Sequence, residues 1–235
     1  KVIASADRKS PFRPVVDGTT LPDWPLARIA RSRGKPVPLL LGGNRDEAVF
    51  FGASKADPAD VTQKDLTNMS LEGFEAIYGH YDPLVADPAQ RRYAALTDEE
   101  YWIPTLRLAE TVSRRGGRTW LYRFELPNKA GPFAGHVPHG AELPFVWDNP
   151  ALVPGAAPDA SSAMRQATDR MFGHWLSFIR TGRPDGSIGP TWPPFEARTQ
   201  ATMIFDTQIR LAADPTAARR ALWSSAPFDA DVGAK

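Results

Sequence analysis

Val37-Pro38-Leu39-Leu40-Leu41-Gly42-Gly43-Asn44-Arg45-Asp46-Glu47 sets a short apolar run against a glycine pair and then a charged turn. The run is too short for a helix and is flanked by proline and glycine, so it reads as a buried strand over Val37 to Gly42. Upstream, Pro11, Pro14, Pro22 and Pro25 with the Asp17-Gly18 turn signal predict an extended, irregular entry and then a short helix over Leu26 to Ser32. Downstream, residues 61 to 115 read as helical. Thr97-Asp98-Glu99-Glu100 has the form of a capping box, with Thr97 as N-cap, and Gly116-Gly117 is the stop signal. Thr119-Trp120-Leu121-Tyr122-Arg123-Phe124-Glu125-Leu126 predicts a second strand, followed by a loop rich in Gly, Pro and His from Pro127 to Pro144. Asp159 to Thr181 carries Met164, Ala167, Met171, Trp175, Phe178 and Ile179 at spacings of three and four, the pattern of a long helix. Residues 201 to 212 read as a strand or hairpin, and Asp214-Pro215 opens a terminal helix through Trp223 with Asp214 as N-cap.

Strands alternating with helices imply an α/β fold with crossover connections. The 235 residues, 42% hydrophobic and 23% charged, suit one soluble domain over 1–235, and 7 Trp with 12 Phe supply the area for its core. The formal net charge of +1 comes without a dense Lys/Arg run, which argues against nucleic acid and anionic membrane as partners. With no cysteine there is no disulfide, thiolate metal site or Cys nucleophile, and the lack fits either cytoplasm or export. No apolar window reaches the length of a membrane span. Lys1-Val2-Ile3-Ala4-Ser5 has neither an initiator Met nor the apolar core of a signal peptide, so the chain is expected to begin partway through a longer precursor.

In such a sheet, functional residues sit on loops at the carboxyl ends of the strands, here after Leu41 and after Leu126. In the first loop, a carboxylate from Asp46-Glu47 can hold a histidine in its working tautomer. By composition alone, the pair is more often the first turn of a following helix, where negative charge suits the dipole. The second loop, Gly135-His136-Val137-Pro138-His139-Gly140-Ala141-Glu142, holds two of the chain's 4 His. A loop histidine can act as a general base. His136, His139 and Glu142 also make a weak zinc pattern without thiol support, and solvated loop histidines are the plainest reading.

Taken together, these segments resemble the type-B carboxylesterases. Leu39 to Glu47 is similar to the strand and loop that carry the triad acid, with Ala48 where the family's Asn-x-Asp-Glu-Gly pattern has glycine. His139-Gly140-Ala141-Glu142-Leu143-Pro144-Phe145-Val146-Trp147 is similar to the family's His-Gly-x-Glu-Leu-Pro-Phe-Val-Phe segment. Pro14 to Gly18, Tyr122-Arg123-Phe124, Trp175 to Phe178, Gly182-Arg183-Pro184 and Trp192-Pro193-Pro194-Phe195 match in the same order, so the resemblance runs from about residue 10 to about 212. The bacterial para-nitrobenzyl esterases are the nearest members, and the cholinesterases are more distant.

The resemblance implies the C-terminal part of an α/β-hydrolase fold, with a mixed, mostly parallel sheet and flanking helices. It implies a serine esterase acting on small-molecule carboxylic esters through an acyl-enzyme, with no cofactor and no metal. Glu47 would be the acid and His139 the base; Asp46 would be a neighbour, His136 incidental, and Glu142 a support of the loop through backbone hydrogen bonds. Phe50, Phe145 and Trp147 are candidates to line an acyl or alcohol pocket, or plain core. No serine stands in G-x-S-x-G; Gly52-Ala53-Ser54-Lys55-Ala56 lacks the second glycine. Because the chain order is Ser, acid, His, the serine and oxyanion hole are expected on an N-terminal segment of the same enzyme. Without that segment the sheet edge and core would be exposed, so the chain is expected to be stable only with it. The alternative is a cholinesterase-like binding or adhesion module that has lost catalysis.

Overall fold

The computed structural model describes residues 14–52, 60–153, 162–186 and 189–226. Ser54, Ser161 and the expected helix start at Asp159 lie outside the described residues. Four strands form one sheet in the order β1 (Leu39–Asn44), β2 (Thr119–Phe124), β3 (Ala201–Phe205), β4 (Arg210–Ala213). The first three are parallel and β4 returns antiparallel to β3, so residues 201 to 212 are a hairpin. The fold is that of the α/β-hydrolases.

The helices are α1 (Pro25–Arg31), α2 (Val49–Gly52), α3 (Leu71–Tyr78), α4 (Pro88–Thr97), α5 (Ile103–Arg114), α6 (Leu143–Val146), α7 (Ser162–Thr181) and α8 (Ala217–Leu222). Proline opens α1, α4 and α6 at N1 or N2, where its missing N–H has no intrahelical partner to lose.

Alternation along β2 assigns the two faces of the sheet. Leu121 packs with Phe74, Trp102, Leu106 and Trp223, the core beneath α3, α5 and α8. Trp120, Tyr122 and Phe124 pack with Phe145, Met164, Met171 and Trp192, the core beneath α6 and α7. Both faces are covered, which is why every residue of β2 is buried, Thr119 and Arg123 included. Burying one such side chain stabilises by about 1.5–3 kcal/mol.

The glycine pair lies inside β1, not beyond it. At Gly42 a Cβ would come within 2.3 Å of the Tyr122 carbonyl oxygen, so only glycine lets the two strands approach. The strand therefore runs on to Asn44, and Arg45 still donates its N–H to the Phe124 carbonyl at 2.9 Å.

Two expected caps are absent. Thr97 is helical (φ −62°, ψ −42°) and ends α4; a π-helical turn over Asp98–Trp102 continues directly into α5. Its hydroxyl accepts the Ala48 N–H at 3.1 Å. Asp98 and Glu99 face inward. Asp98 accepts the Tyr81 hydroxyl at 2.6 Å and pairs with Arg219, and Glu99 accepts the Thr67 and Asn68 N–H groups. At the other end, Asp214 has φ +45° and pairs with Arg220, and α8 begins only at Ala217 after Thr216.

Candidate active site

The acid loop follows β1 and the histidine loop follows β2, so the parallel pairing of these strands brings the two loops together at one end of the sheet. Three consecutive residues of the acid loop hold alternate residues of the histidine loop. Arg45 Nη2 donates to the Gly135 carbonyl at 2.9 Å. Asp46 donates its N–H to the Val137 carbonyl at 3.0 Å, and its Oδ2 accepts the Val137 N–H at 2.9 Å. Glu47 Oε2 lies 2.7 Å from His139 Nδ1. The other Glu47 oxygen accepts the Asn44 N–H at 2.6 Å, which aims the carboxylate.

Glu47 is nearly sealed, with a side-chain exposure of 5%, whereas His139 stands at 49%. The Glu47 hydrogen bond holds the imidazole pKa above its ordinary value. Partial burial opposes this, and the charges of Glu47, Glu142 and Glu100 add to it. With Nδ1 donating to Glu47, Nε2 is the atom left to accept a proton. The Glu142 carboxyl is pushed up by burial, although Asn44 Nδ2 donates to it at 2.5 Å. The carboxyl is thus held by the side-chain amide at the end of β1 and by a backbone N–H of its own loop.

Aromatic rings surround His139: Tyr101 at 5.3 Å, Phe51 at 5.7 Å and Phe50 at 6.4 Å between centroids. Phe133 stacks on Phe50 at 5.6 Å. The expected pocket residues thus separate. Phe50 is beside the imidazole and 49% exposed. Phe145 is buried against Phe124 and lines a cavity of about 40 Å3 with Leu126, Val153 and Met164. Trp147 is 71% exposed. Tyr101 and Phe51 were not legible as neighbours of His139, since one comes from the π-helical turn and the other from α2. Burial and the Glu100 and Glu47 charges hold the Tyr101 hydroxyl well above its usual range. A second cavity of about 390 Å3 lies against α2, lined by Ala48, Phe51, Gly52, Lys64, Asp65 and Arg92.

His136 packs edge-on against Tyr93, and its Nδ1 is 3.7 Å from Asp46 Oδ2. With Glu47 on His139 Nδ1 and Asn44 on Glu142, the donors of the zinc pattern face other partners. Among the described residues no group of three His, Cys, Asp or Glu is arranged to hold a metal ion. Nor, among them, is any helix long and apolar enough to cross a membrane.

Comparison with known proteins gives the family. The chain is 30% identical over 217 residues to the para-nitrobenzyl esterase of Bacillus subtilis (strain 168), covering 89% of the chain and 42% of that protein. It is 25% identical over 233 residues to an acetylcholinesterase of Bungarus fasciatus, covering 88% and 37%. A solved PNB esterase superposes with a TM-score of 0.72 at 26% identity, over 94% of this chain and 45% of that one. A carboxylesterase of Geobacillus stearothermophilus shares the fold with a TM-score of 0.72 at 24% identity, over 90% and 45%. The chain thus spans less than half the length of the relatives it matches. The profile of the carboxylesterase family matches residues 1–223, and the chain belongs to that family.

Proposed function

We propose that this chain supplies the acid and base of a serine carboxylesterase, with the nucleophile and oxyanion hole on an N-terminal segment of the same enzyme. The observation that carries the reading is the 2.7 Å contact between His139 Nδ1 and Glu47 Oε2, with half of the imidazole open to solvent. In the proposed reaction, His139 Nε2 takes the proton of the serine as its oxygen bonds to the ester carbonyl carbon. The alkoxide leaves with that proton, and water then repeats the attack on the acyl-enzyme. Glu47 orients the ring and stabilises the imidazolium; it keeps its own charge throughout.

Phe50, with Phe51 and Tyr101, forms an apolar wall for the acyl or alcohol part of the ester. Support for the missing segment comes from β1, which is the outermost parallel strand among the described residues and offers an unpaired edge. The alternative binding module is weakened by the intact acid–histidine contact, which such a module does not need.

Co-expression of the chain with its natural upstream segment, assayed on a short-chain nitrophenyl ester, tests the reading. Turnover that disappears in His139→Ala is expected. No turnover, turnover indifferent to His139→Ala, or a glycine at the upstream elbow in place of serine defeats it.

A further inference from the structure

We infer that Asp46, outside the proposed triad, is a positioning residue for His139: its clamp on the Val137 backbone sets where the histidine loop delivers the imidazole. This rests on the reading of His139 as the base.

The clamp is two-sided. Asp46 donates its N–H to the Val137 carbonyl at 3.0 Å and accepts the Val137 N–H on Oδ2 at 2.9 Å. Both polar groups of one residue are therefore satisfied by one partner, as in a short stretch of sheet. The carboxylate is itself held by Arg45, whose Nε and Nη2 approach Oδ2 at 2.9 and 2.8 Å while Nη2 also reaches Gly135. The simpler view, an Arg45–Asp46 surface ion pair, accounts for neither bond to Val137. Asp46 is only 15% exposed.

Val137 is fully buried in the core beneath α6 and α7, so the clamped residue has a fixed place in the fold. Pro138 follows, and its ring fixes φ, so Val137 and His139 are joined by a stiff connection. On the far side of His139, Gly140 turns at φ +78°, and Ala141 closes that turn with its N–H on the Pro138 carbonyl at 3.1 Å. The position of the imidazole is thus referred to Val137, and Val137 to Asp46. Glu47 fixes the ring's orientation, and Asp46 fixes the backbone that carries it. The sequence marks Asp46 only as a neighbour of the acid, because nothing local records a partner 91 residues away.

The test uses the enzyme with its nucleophile-bearing segment present. Asp46→Ala and Asp46→Asn are compared with wild type on a short-chain nitrophenyl ester, and His139 is followed by NMR after labelling with 15N-histidine, its signal assigned by loss in His139→Ala. Misplacing a base by a fraction of an ångström is expected to lower kcat about 10- to 100-fold in Asp46→Ala, with KM changed less than about 2-fold. Asp46→Asn, whose amide oxygen still accepts the Val137 N–H, should recover to within a few-fold of wild type. In Asp46→Ala the His139 titration midpoint should also fall toward that of a free imidazole as the Glu47 contact loosens.

An Asp46→Ala enzyme of lowered Tm that keeps kcat and the His139 midpoint overturns the inference in favour of a purely structural role. A folded Asp46→Asn as impaired as Asp46→Ala overturns it too. Where Asp46→Ala does not fold, Asp46→Ser, too short to reach Val137, is read by the same criteria. Wild-type enzyme without turnover defeats the esterase reading instead, and the His139 midpoint still decides the role of Asp46.

Discussion

Glu47 is buried while His139, 2.7 Å from it, is half exposed, so the contact hides the carboxylate and leaves part of the imidazole open to solvent. Glu47→Gln is the direct test in the enzyme that carries its serine. An amide can meet Nδ1 with N–H as readily as with oxygen, and the wrong tautomer removes the basic Nε2 lone pair. A kcat loss of about 10³- to 10⁴-fold in steady-state kinetics is expected, with little change in KM.

The pH dependence follows from the same contact, with opposite signs for activity and stability. The folded pKa of His139 lies above its ordinary value of 6.5, chiefly through the Glu47 hydrogen bond. In the proposed reaction activity needs the neutral ring, so the acid limb of kcat/KM should fall above pH 6.5 and move down in Glu47→Gln. The contribution to stability is fully present below 6.5 and is lost as pH rises through the folded pKa. Half-exposure of the ring makes that contribution small. A pH–rate profile checks the first statement and melts across pH 6 to 8 the second.

A second histidine has the reverse sign. His174 is buried on α7 among Trp192 and Phe205, and burial lowers its pKa despite the Pro184 carbonyl 2.7 Å from Nδ1. That carbonyl accepts a hydrogen bond from Nδ1–H, the Gly186 N–H approaches the same nitrogen at 3.1 Å, and Nε2 has no hydrogen-bond partner among the described residues. The unfolded chain binds a proton near pH 6.5, before the folded one does, so stability should fall as pH drops below that value. His174→Asn, whose amide N–H can replace Nδ1–H, should flatten the fall in urea midpoints between pH 7 and 5. An unchanged slope would assign acid sensitivity to other groups.

The parts of this structure legible in sequence were those written locally or in fixed order. Leu39 to Leu41 is a short apolar run between proline and glycine, and Thr119 to Phe124 carries the aromatic and alternating residues of a strand. Glu47 and His139 were weak signals singly, and their order and surrounding motifs brought them together. What escaped notice depends on partners distant in sequence. Tyr101 and Phe51 reach His139 from separate elements. Gly42-Gly43 looked like a strand end because its real reason, the Tyr122 backbone opposite, is 80 residues away.

That close approach makes Gly42→Ala a sharp test of the β1–β2 pairing. The added methyl would meet the Tyr122 carbonyl oxygen and ring at 2.3 to 2.4 Å, and backbone has no rotamer with which to move aside. A loss of about 3 kcal/mol or more in denaturant unfolding is expected, at the upper end of overpacking costs. Gly116→Ala, with nothing within 4 Å of the new Cβ but a φ of +74°, should cost about 1 kcal/mol.

Asp98 shows why a four-residue pattern misled. Thr-x-x-Glu describes a helix start, but here α4, the π-helical turn and α5 run on without a break, and Asp98 and Glu99 point into the core. Asp98 is fully buried between the Tyr81 hydroxyl and Arg219, and Tyr81 in turn accepts the Trp223 indole N–H at 2.6 Å. Asp98→Ala would leave a guanidinium and a hydroxyl facing a hole, and loss of one partner of a buried pair costs about 3–5 kcal/mol. The same turn carries Tyr101 to His139, and the Thr97 hydroxyl before it holds the Ala48 N–H beside Glu47. Loosening it should therefore reach the site. In the enzyme with its serine, Asp98→Ala should lower both the urea midpoint and the kcat of the fraction that remains folded. Asp98→Asn, which keeps a hydrogen-bond acceptor for Tyr81, should retain more of both. If Asp98→Ala lost stability but kept full kcat at temperatures where it is folded, the turn would serve the core alone.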